Sequence, residues 1–160
     1  MNDTIRKFGY PSSLLHEYRS WAVLLRPAQP TLGSLVLACK EDAMSLGSVS
    51  SAAYAELSTA IADLERALRQ AFEFRRINYL ALMMVDPHVH FHVIPRYSEP
   101  REFEGASWED AAWPKAPEGG RSHGNDDADQ TRTEGSRPQP PQPLVRSGPP
   151  VDAAADDPRY

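Results

Sequence analysis

The feature that most restricts the fold of this chain is a run of five residues in which histidine and apolar side chains alternate. Successive side chains of a β-strand point to opposite faces of a sheet, so such a run predicts a half-buried strand, placed here over residues 88–97. The imidazoles of His88, His90 and His92 then share one face, where a ligand can reach them. The opposite face is expected to pack on the core through three apolar side chains: Val89, Phe91 and Val93.

Three histidines on one strand face indicate a functional site, because the modest β-propensity of histidine gives packing no reason to select it three times. Neutral imidazole ligates zinc and iron, so a metal site is one interpretation. Same-face residues lie about 6.6 Å apart, which puts the outer two histidines roughly 13 Å apart at Cα, too far to converge easily on one ion. Covalent phosphoryl chemistry, with one attacking imidazole and neighbours that bind phosphate oxygens, suits an extended row better. We therefore rank phosphoryl chemistry first and a metal site second.

The remaining apolar pattern predicts an α+β domain. Short apolar runs bounded by turn residues predict four further strands: residues 14–18, 21–25, 34–39 and 77–85. The second and third of these are expected to pair as an antiparallel hairpin. Between residues 50 and 74 apolar side chains recur every three or four positions, which is typical of an amphipathic helix capped by Ser50 or Ser51. This helix is expected to pack across one face of an antiparallel sheet.

Composition divides the chain of 160 residues into a domain and a tail. Apolar periodicity stops near Pro114, and the residues that follow are rich in proline, glycine and aspartate. Such a segment cannot bury enough apolar surface to offset the conformational entropy lost on ordering. We therefore predict one domain over residues 1–114, with its core in 21–97, and a disordered tail over 115–160.

Charge, hydrophobicity and cysteine content exclude some classes of partner and favour one location in the cell. The net charge of −5 argues against a nucleic-acid-binding protein, because neutralising a phosphate backbone requires a basic face. The sequence lacks a stretch apolar enough for a signal peptide or a membrane span, so no membrane partner is expected. The single cysteine, Cys39, cannot form an intrachain disulfide, which favours a cytoplasmic protein.

Residues 88–96 resemble the signature of the histidine-triad (HIT) family, in which three histidines alternate with apolar residues and a Pro-Arg pair follows. The order of elements over residues 21–97 is also similar: a strand hairpin with Gly33 entering its second strand, a long helix, and two strands ending in the motif. The resemblance implies an antiparallel meander sheet with one long helix on a face, a homodimer, and no cofactor. It also implies that the partner is a nucleotide or a nucleotide-derived small molecule.

The same resemblance implies an activity and roles for the three histidines. Family members include dinucleoside polyphosphate hydrolases, nucleoside phosphoramidases and nucleotidyl transferases, so we expect an enzyme acting on a nucleoside phosphate ester, anhydride or phosphoramidate. His90, the middle histidine, would be the nucleophile that forms a nucleotidyl-histidine intermediate. His88 would orient it through a hydrogen bond, and His92 would contact the α-phosphate.

Outside the motif the sequence departs from the family pattern. Well-studied members carry a Gly-rich loop with Gln and Ser or Thr before the triad, whereas residues 83–87 here read Met-Met-Val-Asp-Pro. The Gly-His of the family at the second hairpin strand is Gly33-Ser34 here. The remaining candidate phosphate or nucleotide contacts are Ser34, Arg26 and Arg96. A non-catalytic nucleotide-binding module therefore stays open as an alternative, followed by a His-ligated metalloprotein.

Overall fold

The computed structural model describes residues 1–117, so the predicted tail over 115–160 lies outside the described residues from residue 118 onward. Two α-helices and seven β-strands follow one another in this part: α1 Asp3–Lys7, β1 Leu14–Glu17, β2 Trp21–Leu25, β3 Leu35–Cys39, α2 Ser51–Phe72, β4 Arg76–Leu80, β5 His90–Arg96, β6 Arg101–Phe103 and β7 Ala106–Trp108. No helix within residues 1–117 is long and apolar enough to cross a membrane.

Five strands form one antiparallel sheet in the order β1-β2-β3-β5-β4, and β6 pairs with β7 in a separate hairpin. The predicted hairpin of β2 and β3 is present. β3 pairs on its other side with β5, so that Val36 lies opposite His92 and Ala38 lies opposite His90. The strand that carries the histidines is therefore an inner strand of the sheet, and the predicted α+β class is confirmed.

The long helix α2 forms where the apolar periodicity predicts it. Ser50 caps the helix, because its side chain accepts a hydrogen bond from the backbone N–H of Ala53. The helix ends at Glu73, whose φ of 49° is the left-handed conformation that commonly ends a helix. Its buried face consists of small and branched apolar side chains: Ala53, Ala60, Leu64 and Leu68. This face packs against the sheet, as the apolar periodicity predicts.

The two faces of the sheet are covered by different parts of the chain. On the α2 face, Val89 and Val93 join the main core, as predicted from the alternation. On the opposite face a smaller cluster forms around Val36 and Ala38, together with Ile5 of α1. Full burial of a side chain such as Val or Ile contributes about 1.5–3 kcal/mol, so the burial of Ile5 stabilises the packing of α1 on the sheet. The N-terminal helix thus covers the face that carries the histidines.

Two predicted strand boundaries are wrong. The strand expected over residues 77–85 ends at Leu80, and the strand expected from residue 88 begins at His90. β4 and β5 are antiparallel neighbours with Leu80 opposite His92, so the chain has to reverse direction between them. Residues 81–89 make this reversal, and the side chains of Met84 and Val85 are 85% and 81% exposed. Their apolar character suggested a strand, but the reversal leaves them in solvent.

Gly33 occupies a position where a side chain is not tolerated. Its φ is +77°, and a Cβ atom built there would lie 2.7 Å from Cδ2 of Phe72. We expect Gly33→Ala to lower the free energy of unfolding by about 2–4 kcal/mol, since it combines a left-handed backbone penalty with overpacking. Urea denaturation measures this change. Gly47→Ala is the matched control, because its Cβ would meet nothing within 4 Å, and equal effects in both variants would contradict the prediction.

Candidate active site

His90 is the first residue of β5, and its side chain is fully buried. Its Nδ1 lies 2.7 Å from the backbone carbonyl oxygen of His88. A carbonyl oxygen only accepts hydrogen bonds, so Nδ1 carries the proton and Nε2 of the neutral ring keeps its lone pair. Within residues 1–117 this Nε2 is buried and meets no hydrogen-bond partner. The middle histidine therefore presents a free nucleophilic nitrogen.

His92 lies beside His90, with 5.0 Å between the two ring centroids. Burial is the main reason that the pKa of His92 is lowered to about 4. The neighbouring His90 and Arg26 also lower it, and the charge of Asp86 opposes them. The imidazole is therefore neutral at pH 7. Its Nδ1 is also buried and has no hydrogen-bond partner in the described part of the chain. The two rings together form a polar site with two unused nitrogen atoms.

His88 precedes β5 and is held from both sides of its ring. Its Nδ1 lies 3.1 Å from Oγ1 of Thr4, and its Nε2 lies 3.2 Å from Oδ1 of Asp42. The family resemblance implies that His88 orients His90 through a hydrogen bond. A bond of this kind is present, but its acceptor is the backbone carbonyl of His88, and the imidazole of His88 bonds elsewhere.

The face that carries the histidines is closed by the N-terminal segment. The ring of Phe8 lies against His90 and His92, with centroid distances of 5.3 and 5.7 Å. The adjacent Lys7 forms an ion pair of 2.6 Å with Asp86, in the loop that precedes the triad. The expectation that a ligand reaches this face directly is therefore wrong for His90, which is fully buried and in contact with Phe8, whereas His92 is partly exposed.

Arg26 and Ser34, two of the candidate phosphate contacts, lie in different surroundings. Arg26 is half-buried at the end of β2, and its charge is close enough to lower the pKa of His92. Its Nη1 donates to the carbonyl oxygen of Ala28 at 2.5 Å. Ser34 is fully buried, and its hydroxyl donates to the carbonyl oxygen of Thr31 at 2.7 Å. The geometry keeps Arg26 as a candidate and gives Ser34 the role of fixing the β2–β3 loop.

Arg96, the third candidate, is committed to a buried ion pair. Its Nε and Nη2 donate to the two carboxylate oxygens of Asp110 at 2.6 and 3.1 Å. Nη1 donates to Asn78, and Nη2 also donates to the carbonyl oxygen of Lys115. With each of its three nitrogen atoms engaged and its side chain buried, Arg96 does not fit the phosphate contact that its place after the motif suggested. It fastens residues 110–115 to β5.

Two further features concern metal ligands and the main cavity of the described residues. Among residues 1–117 no three His, Cys, Asp or Glu side chains lie close enough together to hold a metal ion. A cavity of about 920 Å³ lies on the other side of the sheet, between α2 and the β6–β7 hairpin, and the three histidines do not line it. Its lining is mostly apolar, for example Leu35, Leu64 and Phe72. This cavity is therefore separate from the three histidines.

Sequence reasoning missed three residues that contact the triad: Thr4, Phe8 and Asp42. A weak signal for α1 was present, since Asn2 is a good N-cap residue and Thr4 and Phe8 have the spacing of one helix face. A helix of five residues is too short to show periodicity, and its docking onto β5 depends on tertiary structure. Asp42 has no signal in the sequence.

Comparison with solved structures finds the same fold in proteins of low sequence identity. A histidine triad protein from Bradyrhizobium japonicum matches with a TM-score of 0.59 and 21% identity, covering 79% of this chain and 85% of that chain. A HIT protein from Sinorhizobium meliloti matches with a TM-score of 0.57 and 20% identity, covering 76% and 82%. A hypothetical histidine triad nucleotide-binding protein from Sulfolobus tokodaii matches with a TM-score of 0.51 and 16% identity, covering 62% and 73%.

No family model matches the sequence, and no curated protein matches it either. The similarity is thus detectable in the fold, and in the Bradyrhizobium japonicum protein it extends over 79% of this chain. At these identities the chain is shown to have the fold of the histidine-triad proteins, as the alternating run of histidines predicted.

Proposed function

We propose that the protein is a nucleotide-binding hydrolase or nucleotidyl transferase that acts on a nucleoside phosphate ester, anhydride or phosphoramidate. The observation that supports this most directly is the hydrogen bond from Nδ1 of His90 to the carbonyl oxygen of His88. This bond leaves Nε2 unprotonated, and unprotonated imidazole nitrogen is the form that attacks phosphorus. No separate base has to remove a proton before the attack.

The proposed reaction has two steps. Nε2 of His90 attacks the α-phosphorus, an N–P bond forms, and the leaving group departs with the bonding electron pair and takes up a proton from water. A water molecule then attacks the same phosphorus, the N–P bond breaks, and a nucleoside monophosphate leaves while the proton of the water passes to solvent. In a transferase, an acceptor nucleophile takes the place of the water molecule that attacks in the second step.

His92 and Arg26 are the side chains that we assign to the phosphate. Because its pKa of about 4 keeps His92 uncharged at neutral pH, the ring donates a hydrogen bond to a phosphate oxygen without adding a charge next to His90. Arg26 supplies the positive charge on this side of the site, and charge-assisted bonds to phosphate are among the strongest hydrogen bonds in proteins. Arg96 and Ser34 are not part of this assignment.

The comparisons support the nucleotide as the substrate class. The Sulfolobus tokodaii protein of the same fold is described as nucleotide-binding. We carry over only this class of ligand, since neither the base nor the leaving group follows from the fold.

Intact-protein mass spectrometry tests the proposal. The protein is incubated with a panel of dinucleoside polyphosphates and nucleoside phosphoramidates, as wild type, as His90→Ala, and as His92→Ala to slow breakdown of the intermediate. We expect a mass increase of one nucleotidyl group that is largest in His92→Ala and absent in His90→Ala. His16→Ala is the matched control, because His16 is exposed on β1. An adduct that persists in His90→Ala would rule out His90 as the nucleophile.

A non-catalytic nucleotide-binding module is the second candidate. Two observations favour it: Phe8 covers the histidines, and residues 81–87 lack the glycines that would expose backbone amides to a phosphate. This candidate predicts mononucleotide binding in a calorimeter without adduct or product across the panel. Turnover that His90→Ala abolishes would exclude it.

Two other properties are also proposals. The family resemblance implies a homodimer, which a measurement of molecular mass in solution tests. The only cysteine, Cys39, is free and buried, and this agrees with a cytoplasmic location, which localisation of the tagged protein tests.

A further inference from the structure

The N-terminal helix α1 is held against the end of β3 by contacts that do not involve the triad. Asn2 caps α1 by accepting from the backbone N–H of Ile5 at 3.1 Å. The same side chain donates to the carbonyl oxygens of Cys39 and Glu41 at 2.9 and 3.3 Å. Ile5 is also fully buried, so hydrogen bonds and an apolar contact together hold α1 on the sheet.

Thr4 is the residue of α1 that bonds to the triad. It is almost completely buried, its Oγ1 lies 3.1 Å from Nδ1 of His88, and the backbone N–H of His88 approaches the same oxygen at 3.4 Å. On the other side of the ring, Nε2 of His88 faces the carboxylate of Asp42. A carboxylate accepts, so Nε2 of the neutral ring carries the proton and Nδ1 accepts from the hydroxyl of Thr4.

These contacts hold His88 by its ring and by its backbone nitrogen. The carbonyl group of the same residue accepts the Nδ1 proton of His90 at 2.7 Å. A carbonyl oxygen that is turned away loses this bond, and the proton of the His90 ring is then free to sit on Nε2. The direction of one peptide group therefore decides whether the middle histidine has a lone pair to attack with.

We propose that Thr4 is a positioning residue of the active site: by holding His88, it sets the carbonyl group that keeps the proton of His90 on Nδ1. The inference rests on the proposed function, in which Nε2 of His90 is the nucleophile. It gives α1 a part in catalysis in addition to covering the sheet. Asp42 also holds the ring of His88, by accepting from Nε2. Its side chain is 88% exposed, so water competes for this bond.

Thr4→Val tests the proposal, because valine keeps the shape of threonine and removes the hydroxyl. We expect kcat for a nucleoside phosphoramidate to fall about tenfold, the rate equivalent of one lost hydrogen bond, with KM little changed. Thr4→Ser keeps the hydroxyl and is expected to restore kcat to within about twofold of wild type. A fall in Thr4→Ser equal to that in Thr4→Val would show that packing is responsible, and would overturn the proposal.

Nitrogen-15 NMR of histidine-labelled protein provides a readout that needs no substrate. In wild type and Thr4→Ser we expect the ring of His90 to be protonated at Nδ1, and in Thr4→Val we expect a mixture of the two tautomers. An unchanged tautomer in Thr4→Val overturns the proposal even if the protein proves to have no activity. A wild type that shows the Nδ1 tautomer without turnover contradicts the proposed function and leaves the role of Thr4 standing.

Asp42→Ala serves if Thr4→Val does not fold, since it alters the same ring from an exposed position without touching α1. We expect it to shift the signal of His88 Nε2, while the hydroxyl of Thr4 still donates to Nδ1 of His88 and the ring of His90 stays protonated at Nδ1. If the ring of His90 loses its Nδ1 proton in Asp42→Ala, Asp42 and not Thr4 holds His88, and the proposal fails.

Discussion

Asp110→Ala is expected to lower the free energy of unfolding by about 3–5 kcal/mol. Asp110 and Arg96 form an ion pair that is almost fully removed from water, and loss of one partner leaves a buried, uncompensated charge. The carboxylate also accepts from the backbone N–H of Tyr97 at 3.2 Å. The variant therefore loses hydrogen bonds to the guanidinium and to the main chain together. Urea denaturation followed by circular dichroism measures the change.

Two comparisons separate the buried charge from other effects. Asp3→Ala removes one partner of the exposed pair with Arg6 and is expected to change stability far less, because solvent screens that pair. The double variant Arg96→Met with Asp110→Leu removes both charges and is expected to be more stable than Asp110→Ala alone. A double variant as unstable as the single one would show that packing of the segment, and not the charge, is responsible.

The elements that the sequence predicts correctly are those whose signal is local. The alternation around His90 predicts a strand, and the period of α2 with Ser50 before it predicts a helix and its cap, because each depends only on which residues follow one another. The resemblance of residues 88–96 to the triad signature also predicts the fold correctly, and the comparisons confirm that fold.

The wrong or missing parts depend on contacts between residues distant in sequence. Arg96 follows the motif and carries a charge, which suggested a phosphate contact. Its ion pair with Asp110 could not be predicted, because no sequence pattern links the two residues. The chain reversal between β4 and β5 ended a strand that propensity alone would have continued to Val85. The β6–β7 hairpin and α1 are too short for a period to be visible.

The largest of these gaps concerns the face of the sheet that carries the histidines. Alternation correctly divided His90 and His92 from Val89 and Val93, but it cannot say what lies above either face. A ligand was expected to reach the histidines on this face, but in the structure Phe8 lies against His90 and His92. This matters for function, because a nucleophile that is fully buried in the described structure has to be uncovered before a phosphate can meet it.

Phe8→Ala is expected to raise the rate at which diethyl pyrocarbonate modifies His90 by at least about tenfold. The reagent reacts with an unprotonated imidazole nitrogen, and Nε2 of His90 has this form but no exposed surface. Removing the ring that lies on His90 and His92 opens a path to it. Peptide mass spectrometry gives the modification rate of each histidine, and His16 is the internal reference because it is exposed in all variants.

Phe103→Ala is the matched control, since Phe103 is an aromatic residue of the β6–β7 hairpin that contacts Phe72 and not the triad. It is expected to leave the rate at His90 unchanged. The comparison is made well below the melting temperature of each variant, because truncation of Phe8 also removes apolar contacts and lowers stability. If His90 reacts as slowly in Phe8→Ala as in wild type, another part of the chain shields Nε2 and Phe8 is not the barrier.

The same variant relates burial to the proposed reaction. A substrate phosphate and the ring of Phe8 cannot both occupy the space next to the two imidazoles, so binding has to displace the ring and loses the energy of its contact. Phe8→Ala removes that cost in advance, and we therefore expect it to lower KM for a nucleoside phosphoramidate. The expected direction is informative because most truncations near an active site weaken binding. A raised KM with unchanged kcat would mean that Phe8 closes over the bound substrate and contributes to its site.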